Sequence, residues 1–590
     1  MDARSYQVMV PMRDGTRLNT FVFLPEDGAA RRPVILHRTP YGIAAANAPH
    51  KFDHTQAWLP NPAEPMRGSI LRGWRNIVAH GYVAVYQDCR GRYGSEGEDR
   101  VYADDAEDGH DTLDWIAGQD WCNGRIGMSG SSAGATTTFA AASTGHPALR
   151  AFFAQAGGSS IYDDVIYEGQ GIEMERLWLW VAKNIPGLSM SHREAVMARF
   201  GVDAATLDRA AQSAAERYNR LDAARQEDPP FVKSPDWLRL PLTGYPDFAL
   251  WQPFLDEIIS HPAPDAFRAK HDFRRSITIP GFHVTSWYDI FQTSVIAAFQ
   301  AIQARTGTQR LWVGPNEHYF VYASNFWPQD PYFEWFGHWL KDEPSGLFDE
   351  PAVYYSPRAW AEDRASYVPN DWVRAERWPP PGVKPQRLYL RGDSTLGDRP
   401  AGDPRHWRYD PRRPIPTLGG RNMLIDAGPR DQRPAQALPD YGLIYRGTPL
   451  AGDLTIAGNV RVTLSVTSDC PDTDFVAKLI ELSPDGCAML LMDGVVRAMY
   501  RDPILDPQPL APGQVYAVTI DLGDIHHVLR AGSRIEIDVT SSNFPRRARN
   551  TNSGHPMLAN DAERNIRVAD NAVHHTAATP SFVELPVLAR

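Results

Sequence analysis

The chain has 590 residues, of which 43% are hydrophobic, 11% aromatic and 22% charged. This is the composition of a globular protein with large cores rather than of a disordered chain. At roughly 100–200 residues per domain, the length predicts more than one domain. The net charge of −11 disfavours binding to nucleic acid or to an anionic membrane, because like charges repel.

The cysteine content and the first residues predict a cytoplasmic protein. The chain has four cysteines, none of them in a C-x-x-C pair, and so few cannot form a disulfide framework in a chain of this length. The N-terminal residues show no basic stretch followed by an apolar core, so no signal peptide is recognised. No apolar run approaches the ~18–20 residues needed to span a bilayer, and we expect no membrane association.

The first part of the chain has the pattern of an α/β fold. Residues 7–24 alternate between apolar and polar side chains around Asp14-Gly15, which predicts an antiparallel hairpin at the edge of a sheet. Short, almost continuous apolar runs follow, and such runs are typical of strands buried on both faces of a parallel sheet. These runs are separated by helical stretches at 105–119 and 134–142, and they lie at 33–37, 82–86, 125–128, 277–284 and 311–313.

The pattern changes twice further along the chain. Residues 146–244 contain helical stretches at 173–183 and 192–227 without buried-strand runs, which predicts an inserted helical cap. After residue 350, short alternating segments separated by Gly, Pro and Asp predict an antiparallel sandwich. We therefore predict an α/β domain formed by residues 1–145 and 245–350, a helical cap at 146–244, and a β-sandwich at 351–590.

The segment after the predicted strand at 125–128 has the pattern of a nucleophile elbow. Gly130-Ser131-Ser132-Ala133-Gly134 is a G-x-S-x-G sequence between a strand and a helix, the context in which the serine is lifted above the sheet on a strained turn. A serine hydroxyl is not ionised at neutral pH and needs a histidine base oriented by a carboxylate. Ser132 is the candidate nucleophile, and a Gly/Ser-rich loop without function is the alternative.

The two partners of such a serine are expected after later strands, in the order acid and then histidine. Asp289 follows the run at 277–284, and His318 follows the run at 311–313. Both lie where open α/β sheets place their sites, beyond the C-terminal ends of strands. Taken singly, Asp289 could instead cap a helix and His318 could be a surface residue; their joint occurrence behind the elbow favours a Ser-His-Asp triad.

An oxyanion hole needs two hydrogen-bond donors for the negative charge that develops on the substrate carbonyl oxygen. The backbone N–H of Ala133 is the expected first donor. The loop after the first buried strand has no glycine run to offer a second backbone donor, but it contains Tyr41. The Tyr41 hydroxyl is the candidate, and a surface aromatic residue is the alternative.

The motifs together identify a family. The chain resembles the serine hydrolases that include bacterial cocaine esterase, X-Pro dipeptidyl peptidase, glutaryl-cephalosporin acylase and α-amino acid ester hydrolase. The resemblance implies an α/β-hydrolase domain with an inserted cap and a C-terminal jelly roll. It also implies Ser132, Asp289 and His318 as triad and Tyr41 with Ala133 as oxyanion hole. The matching motifs are 12–15, 40–41, 87–91, 121–124, 287–289, 314–318, 472–475 and 541–546.

The chain departs from this family at the substrate pocket. α-Amino acid ester hydrolases resemble one another in having two acidic residues shortly after the triad aspartate, whereas this chain has Ile290-Phe291-Gln292. An α-amino substrate would lose its charge partner there, so we disfavour that specificity; Asp163-Asp164 in the cap is an alternative partner, or else a solvated loop. Phe291, with Tyr167 and Trp180 of the cap, is the candidate pocket wall, and plain core packing is the alternative for the cap residues.

The sequence thus predicts a serine hydrolase that cleaves small esters or amides through an acyl-enzyme. An acylase or aminopeptidase that cuts amide bonds is one alternative, and a carbohydrate- or protein-binding module with an inactive hydrolase domain is another. We expect no cofactor and no metal, since the paired histidines His526-His527 and His574-His575 would point to opposite faces of a strand. The oligomeric state stays open, with a homo-oligomer among the alternatives.

Overall fold

The structure is a computed structural model. It describes residues 3–26, 31–43, 73–184, 187–223, 235–244, 253–262, 265–318, 331–357, 359–360, 372–423, 425–501 and 506–589. The strands are β1 Ala3–Pro11, β2 Arg17–Pro25, β3 Arg32–Thr39, β4 Val83–Asp88, β5 Cys122–Ser131, β6 Leu149–Gln155, β7 Tyr167–Glu168, β8 Gly171–Ile172, β9 Gly281–Tyr288, β10 Gln309–Glu317, β11 Val353–Tyr355, β12 Val373–Ala375, β13 Val383–Leu390, β14 Leu396–Gly397, β15 Arg405–Tyr409, β16 Leu443–Arg446, β17 Leu454–Ser468, β18 Asp474–Leu482, β19 Ala488–Arg497, β20 Tyr516–Leu529, β21 Arg534–Thr540, β22 Ala569–His574 and β23 Ser581–Leu588. The α-helices are α1 Trp74–Ala79, α2 Asp105–Ala117, α3 Ala133–Ser143, α4 Met174–Asn184, α5 Met190–Phe200, α6 Ala204–Ala223, α7 Pro235–Leu238, α8 Pro253–Ile259, α9 Ala266–Lys270, α10 Gln292–Thr306, α11 Tyr332–Lys341 and α12 Arg433–Gln436.

The first sheet is mostly parallel with antiparallel strands at its edges. Within the described residues its ten strands have the order β1-β2-β4-β3-β5-β6-β9-β10-β11-β12. The strands from β4 to β11 in this order are parallel, while β1 and β2 form the antiparallel hairpin expected at the edge. This order places β5, β9 and β10 in the interior of the sheet. Because these strands are parallel, the loops that follow them all lie at the same end of the strands.

Helices cover both faces of this sheet because consecutive strand residues point to opposite sides. Val34 and Leu36 of β3 pack in a core with residues of α2, α3 and α10. Ile35, between them, packs in a second core with residues of α1 and α11. The continuous apolar runs of the sequence are therefore buried on both faces, as predicted.

The C-terminal part of the chain contains two antiparallel sheets. One has the order β14-β13-β23-β17-β22-β15 with β20 also paired to β17, and the other has the order β16-β21-β18-β19. Val462 of β17, Leu479 of β18 and Ile537 of β21 belong to one core cluster, so the two sheets share a core. The expectation of an α/β domain followed by an all-β domain is confirmed.

The predicted cap at 146–244 is wrong at its start. Leu149–Gln155 forms β6, a buried strand of the first sheet between β5 and β9. This strand reads Leu-Arg-Ala-Phe-Phe-Ala-Gln, a short apolar run that begins only six residues after the end of α3. Helical structure also continues beyond residue 244, in α8 and α9.

Two further sequence boundaries differ from the structure. The short strands β11 and β12 lie after residue 350 but extend the first sheet next to β10, because three residues of Val-Tyr-Tyr are enough to pair with an open edge. The helical stretch at 192–227 is divided where Gly201 adopts a left-handed φ of +63° and ends α5.

Among the described helices, none is both long and apolar enough to cross a membrane.

Candidate active site

The turn between β5 and α3 has the geometry that a nucleophile elbow requires. Ser132 lies in it with φ 53° and ψ −124°, a backbone conformation that is strained for a residue with a side chain. A Cβ atom on Gly130 would lie 1.9 Å from the carbonyl oxygen of Gly134, so only glycine fits there, and a Cβ on Gly134 would lie 3.2 Å from the carbonyl oxygen of Arg38. The two glycines of the motif thus allow the strand and the helix to approach closely.

The structure brings the three predicted triad side chains together. The Nε2 atom of His318 lies 3.2 Å from the Oγ atom of Ser132, and its Nδ1 atom lies 2.6 Å from Oδ1 of Asp289. Asp289 is fully buried and His318 is 2% exposed. Asp289 directly follows β9, and His318 directly follows β10, so the parallel pairing of these strands sets the histidine beside the acid.

Asp289 has a second hydrogen-bond partner that the sequence did not indicate. The hydroxyl of Thr285, on β9, donates to Oδ2 of Asp289 at 2.8 Å. Because Oδ1 faces the imidazole and Oδ2 faces this hydroxyl, the carboxylate plane has a defined orientation. Threonine is common in buried strands, and no local sequence signal distinguishes Thr285 from the others.

The candidate oxyanion donors both lie at Ser132. The Tyr41 hydroxyl oxygen is 3.3 Å from Ser132 Oγ. Ala133 follows Ser132 as the first residue of α3, where backbone N–H groups have no partner within the helix. These positions are the ones that the sequence predicts for the two donors.

The backbone around Tyr41 is held by side chains of neighbouring strands. The Tyr41 N–H donates to Oγ1 of Thr39 at 3.1 Å, and the Ile43 N–H donates to Oδ1 of Asp88 at 3.0 Å. Oδ2 of Asp88 accepts from Nδ2 of Asn19 at 2.8 Å. Burial raises the pKa of Asp88 to about 7. Asp88 is therefore a structural support of the loop that carries Tyr41.

Of the candidate pocket residues, Trp180 and Phe291 lie beside the triad and oxyanion side chains. The indole Nε1–H of Trp180 donates to the Tyr41 hydroxyl at 3.3 Å. The Phe291 ring meets the His318 imidazole edge to face at 5.7 Å. Their contacts support a wall role for both residues, which stays a prediction.

Tyr167 has a different environment. It is 3% exposed, and its hydroxyl donates to the Ile259 carbonyl at 2.7 Å. The Arg268 guanidinium lies 5.3 Å from its ring centre. The hydrogen bond and cation contact described for Tyr167 thus join it to α8 and α9, and its role in the pocket wall stays a prediction.

Asp163, the alternative partner for a substrate ammonium group, is paired with arginines in the structure. The Asp163 carboxylate is paired with Arg268 at 2.8 Å and with Arg274 at 2.9 Å. The guanidinium of Arg176 lies 5.3 Å from the ring centre of Phe291. The pairing of Asp163 with two arginines and the cation beside Phe291 agree with the expectation that an α-amino substrate is disfavoured, which stays a prediction.

One group in the described part of the chain has metal-ligating residue types close together, at His110, Asp111 and Asp114 on α2. Asp111 is already bound by the guanidinium of Arg13 at 2.7 Å, and Asp114 by His146 at 3.0 Å. The Asp111 carboxylate is thus paired with a guanidinium, and the Asp114 carboxylate has a hydrogen-bond partner in His146. The expectation of no metal and no cofactor stays a prediction.

The paired histidines contact separate partners. His526 lies 3.0 Å from the Pro357 carbonyl oxygen, and His527 lies 2.8 Å from Glu481. Neighbouring residues of a strand point to opposite faces, which explains why the two imidazoles do not meet.

Comparison with known proteins places the chain in a family. Residues 14–320 match the family described as X-Pro dipeptidyl-peptidase (S15 family), and residues 349–584 match the X-Pro dipeptidyl-peptidase C-terminal non-catalytic domain. Cocaine esterase from Rhodococcus sp. (strain MB1 Bresler) is 30% identical, covering 99% of this chain and 98% of its own length.

Two solved structures have the same overall fold. An α-amino acid ester hydrolase superposes with a TM-score of 0.74 at 24% identity, covering 99% of this chain and 97% of its own. An aminopeptidase from a marine sediment Thaumarchaeota archaeon superposes with a TM-score of 0.73 at 22% identity, covering 100% and 97%.

Fold and relatives together define the class of protein as a serine hydrolase with an α/β-hydrolase-type domain and a C-terminal all-β domain. The chain belongs to the S15 family of X-Pro dipeptidyl-peptidases, the family that the sequence motifs indicated.

Proposed function

We propose that this enzyme hydrolyses small carboxylic esters through an acyl-enzyme on Ser132. His318 is the general base and acid, Asp289 orients the imidazole, and Tyr41 with the Ala133 N–H stabilises the oxyanion. The single observation that carries this proposal is the continuous series of contacts from Ser132 Oγ to His318 at 3.2 Å and from His318 to Asp289 at 2.6 Å. The 30% identity to a cocaine esterase supports an ester as the substrate.

Each step of the reaction moves defined atoms. Ser132 Oγ forms a bond to the substrate carbonyl carbon while its proton moves to His318 Nε2, and the carbonyl π electrons move to the oxygen. The imidazolium then gives this proton to the leaving alkoxide as the ester bond breaks. Water repeats the sequence on the acyl-enzyme and releases the acid. Asp289 stays ionised throughout and stabilises the positive imidazole.

The nucleophile is tested by two neighbouring serine variants. We expect Ser132→Ala to lower kcat for p-nitrophenyl butyrate by on the order of 10⁶-fold and to abolish labelling by a fluorophosphonate. Ser131 precedes it at the end of β5, and Ser131→Ala is the matched control, which should keep both activities. Turnover by Ser132→Ala at the level of the unaltered enzyme would rule out the assignment.

An amide substrate is the second candidate, because the family itself is described as dipeptidyl-peptidase. The pairing of Asp163 with two arginines and the sequence Ile290-Phe291-Gln292 after the acid favour a substrate without a free α-amino group. Matched esters and amides of the same acyl group, with and without an α-amine, separate these possibilities. A higher kcat/KM for an α-aminoacyl amide than for the uncharged ester would favour the peptidase.

The proposal includes a cytoplasmic location, a small-molecule substrate and no nucleic acid or membrane partner. All four cysteines are free thiols, and Cys89, Cys122 and Cys470 are buried, which suits a reducing compartment. Fractionation of the native host's cells followed by fluorophosphonate labelling tests the location.

A further inference from the structure

We infer that Trp180 is a positioning residue for the oxyanion tyrosine, acting through its indole N–H. The bond from this N–H to the Tyr41 hydroxyl oxygen directs the Tyr41 proton toward the reacting centre. This inference deepens the proposed function and rests on Tyr41 being an oxyanion donor. It gives Trp180 a role different from that of an apolar wall, because it concerns one polar atom of the ring.

The inference starts from what each group can donate. An indole N–H is a donor only, whereas a tyrosine hydroxyl has one proton to donate and lone pairs that accept. Trp180 Nε1 lies 3.3 Å from the Tyr41 oxygen, and this oxygen lies 3.3 Å from Ser132 Oγ. With Trp180 donating to a lone pair, the hydroxyl proton of Tyr41 is turned away from the indole. Ser132 Oγ, 3.3 Å away, can accept this proton.

The same direction of donation continues through the triad. Ser132 lies 3.2 Å from Nε2 of His318, which must accept the serine proton if the histidine is to act as base. The other imidazole nitrogen then carries a proton and donates to Asp289 at 2.6 Å. Trp180 can only donate and an ionised carboxylate can only accept, so the two ends set one direction for the whole series. Hydrogen bonds aligned in this way polarise one another.

Attack on the substrate leaves this arrangement almost unchanged. Ser132 Oγ loses its proton to His318 and becomes bonded to the former carbonyl carbon, whose oxygen becomes the oxyanion. Oγ and the oxyanion are then attached to the same carbon, so the Tyr41 O–H needs only a small rotation to donate to the oxyanion. The indole N–H continues to occupy the opposite side of the tyrosine oxygen. Donors that are already oriented cost little reorganisation in the transition state.

The Trp180 side chain is itself held in place. The Arg92 guanidinium lies 5.6 Å from its ring centre, and Arg92 is only 4% exposed. Arg92 is fixed by Asp99 at 2.5 Å and by the Asn184 carbonyl at 2.7 Å. Asn184 Nδ2 in turn donates to the Trp180 carbonyl at 2.7 Å. The cap helix α4 and the α/β domain thereby share the support of one indole ring.

The central test is a double-mutant cycle between residues 180 and 41. Trp180→Phe removes the N–H but keeps an aromatic ring, and we expect kcat for p-nitrophenyl butyrate to fall about 5-fold, the value of one neutral hydrogen bond, with KM changed less than 2-fold. Tyr41→Phe should lower kcat by about 10²–10³-fold. In the Tyr41→Phe enzyme, Trp180→Phe should have no further effect on kcat, because the hydroxyl it orients is gone.

Trp178→Phe is the matched control, since it makes the same change two residues away on the same helix. Trp178 is 1% exposed, so this control measures what a Trp-to-Phe change does to packing in α4. We expect Trp178→Phe to leave kcat within 2-fold of the unaltered enzyme. Thermal unfolding of both variants shows whether they are equally folded.

A binding measurement separates orientation of the oxyanion donor from wall contact. Propylboronic acid forms a tetrahedral adduct with an active serine, whereas butyrate is a planar product. Trp180→Phe should raise the Kd of propylboronic acid about 5-fold and leave the Kd of butyrate within 2-fold.

The outcomes distinguish the inference from the proposed function. Equal losses from Trp180→Phe in the two residue-41 backgrounds, unchanged kcat, or a loss confined to KM would each overturn the inference and leave a wall role. If Tyr41→Phe keeps full kcat, or Ser132→Ala keeps turnover, the proposed function itself fails. A loss with Trp180→Phe that disappears in the Tyr41→Phe background, with normal Ser131→Ala and Trp178→Phe controls, supports both.

Discussion

The elbow has a strained backbone at Ser132 and glycines at closely packed positions around it. Ser132 has a positive φ of 53°, which costs on the order of 1–3 kcal/mol and persists only when the surroundings enforce it. A Cβ on Gly157, which follows β6, would lie 2.4 Å from the Ala135 Cβ and 2.6 Å from the Ser132 carbonyl oxygen. Thus Gly130, inside the motif, and Gly157, outside it, both allow neighbouring backbone to pack closely around Ser132.

Gly130→Ala should disable the elbow. The added methyl group would lie 1.9 Å from the Gly134 carbonyl oxygen, so β5 and α3 must separate, and a displacement of about 1 Å at a nucleophile can cost about 10²-fold in kcat. We expect at least that loss and a lower midpoint of thermal unfolding. Gly118→Ala is the control, since its nearest atoms lie at 3.6 Å and its φ is −78°. Full activity of Gly130→Ala would contradict the geometry.

His283 gives the stability of the protein a dependence on pH. It lies on β9 among the rings of Phe139, Phe152 and Phe299, and this burial lowers its pKa to about 4 from the usual 6.5. Below pH 6.5 this histidine binds a proton in the unfolded chain, whereas in the folded chain it stays neutral until the pH approaches 4. The contribution of neutral His283 to the free energy of unfolding is therefore fully present above pH 6.5 and is lost as the pH falls toward 4.

We expect this histidine to account for about 3 kcal/mol of stability lost between pH 7 and pH 4, at 1.36 kcal/mol per pKa unit. His283→Gln keeps an N–H donor for Gln309, which lies 3.0 Å from His283, and cannot be charged. Urea unfolding at several pH values should show a weaker pH dependence for this variant. Identical slopes for both proteins would show that His283 is not the titrating group.

At the scale of elements, the short hairpin β7–β8 joins the cap to the C-terminal sheets. Glu168 pairs with Arg421 at 3.0 Å and also with Arg546 and Arg547. These arginines are 7%, 2% and 3% exposed. The arginines hold the pKa of Glu168 well below its usual value even though burial opposes this. The charge of Glu168 is therefore needed to balance buried cations.

Glu168→Gln should destabilise the contact between the cap and the C-terminal sheets. Arg546 keeps its pair with Asp493 and Arg547 keeps its pair with Glu173, so the substitution mainly leaves Arg421 without a carboxylate. We therefore expect a loss of about 3 kcal/mol, the lower end of the usual cost of breaking a buried ion pair. Glu584→Gln breaks the exposed pair with Arg387 and should cost at most about 1 kcal/mol. Thermal unfolding in low and high salt compares the two. Equal shifts of the unfolding midpoint in the two variants would show that the ion pairs of Glu168 stabilise the protein no more than an exposed ion pair does.

At the scale of the whole molecule, backbone hydrogen bonds cross between parts that are far apart in sequence. The Met174 N–H donates to the Arg546 carbonyl, and the Ala548 N–H donates to the Ile172 carbonyl, both at 2.9 Å. The Trp378 indole donates to Asp524 at 2.6 Å. A buried polar group that loses its partner costs free energy, so the C-terminal half of the chain satisfies polar groups of the first half.

Separating the chain after residue 380 should therefore inactivate it. The fragment 1–380 would leave the hairpin and the start of α4 without their partners, and we expect poor solubility, dye binding to exposed apolar surface and no esterase activity. Mixing it with the fragment 381–590 during refolding should restore activity in part. Full activity of the fragment 1–380 alone would show that the all-β half is dispensable for the site.

The sequence by itself determined the features that neighbouring residues encode. The elbow around Ser132 follows from a strand, a turn and a helix in direct succession, and the positions of Asp289 and His318 follow because parallel strands end at the same edge of a sheet. The loop after the first buried strand made Tyr41 the candidate oxyanion donor, and the family resemblance implies the same role. The alternation in segments such as 460–467 was enough to predict the antiparallel sheets.

Only the tertiary structure decided which distant residues meet. It assigned β6, β11 and β12 to the first sheet, set Thr285 against Asp289, and set Tyr167 against Ile259 and Arg268. It also joined Trp180 to Tyr41, 139 residues apart in the chain. Periodicity and turn chemistry act over a few residues, whereas these contacts depend on how whole elements pack. For that reason the sequence located the proposed reacting groups, and packing determined which side chains contact them.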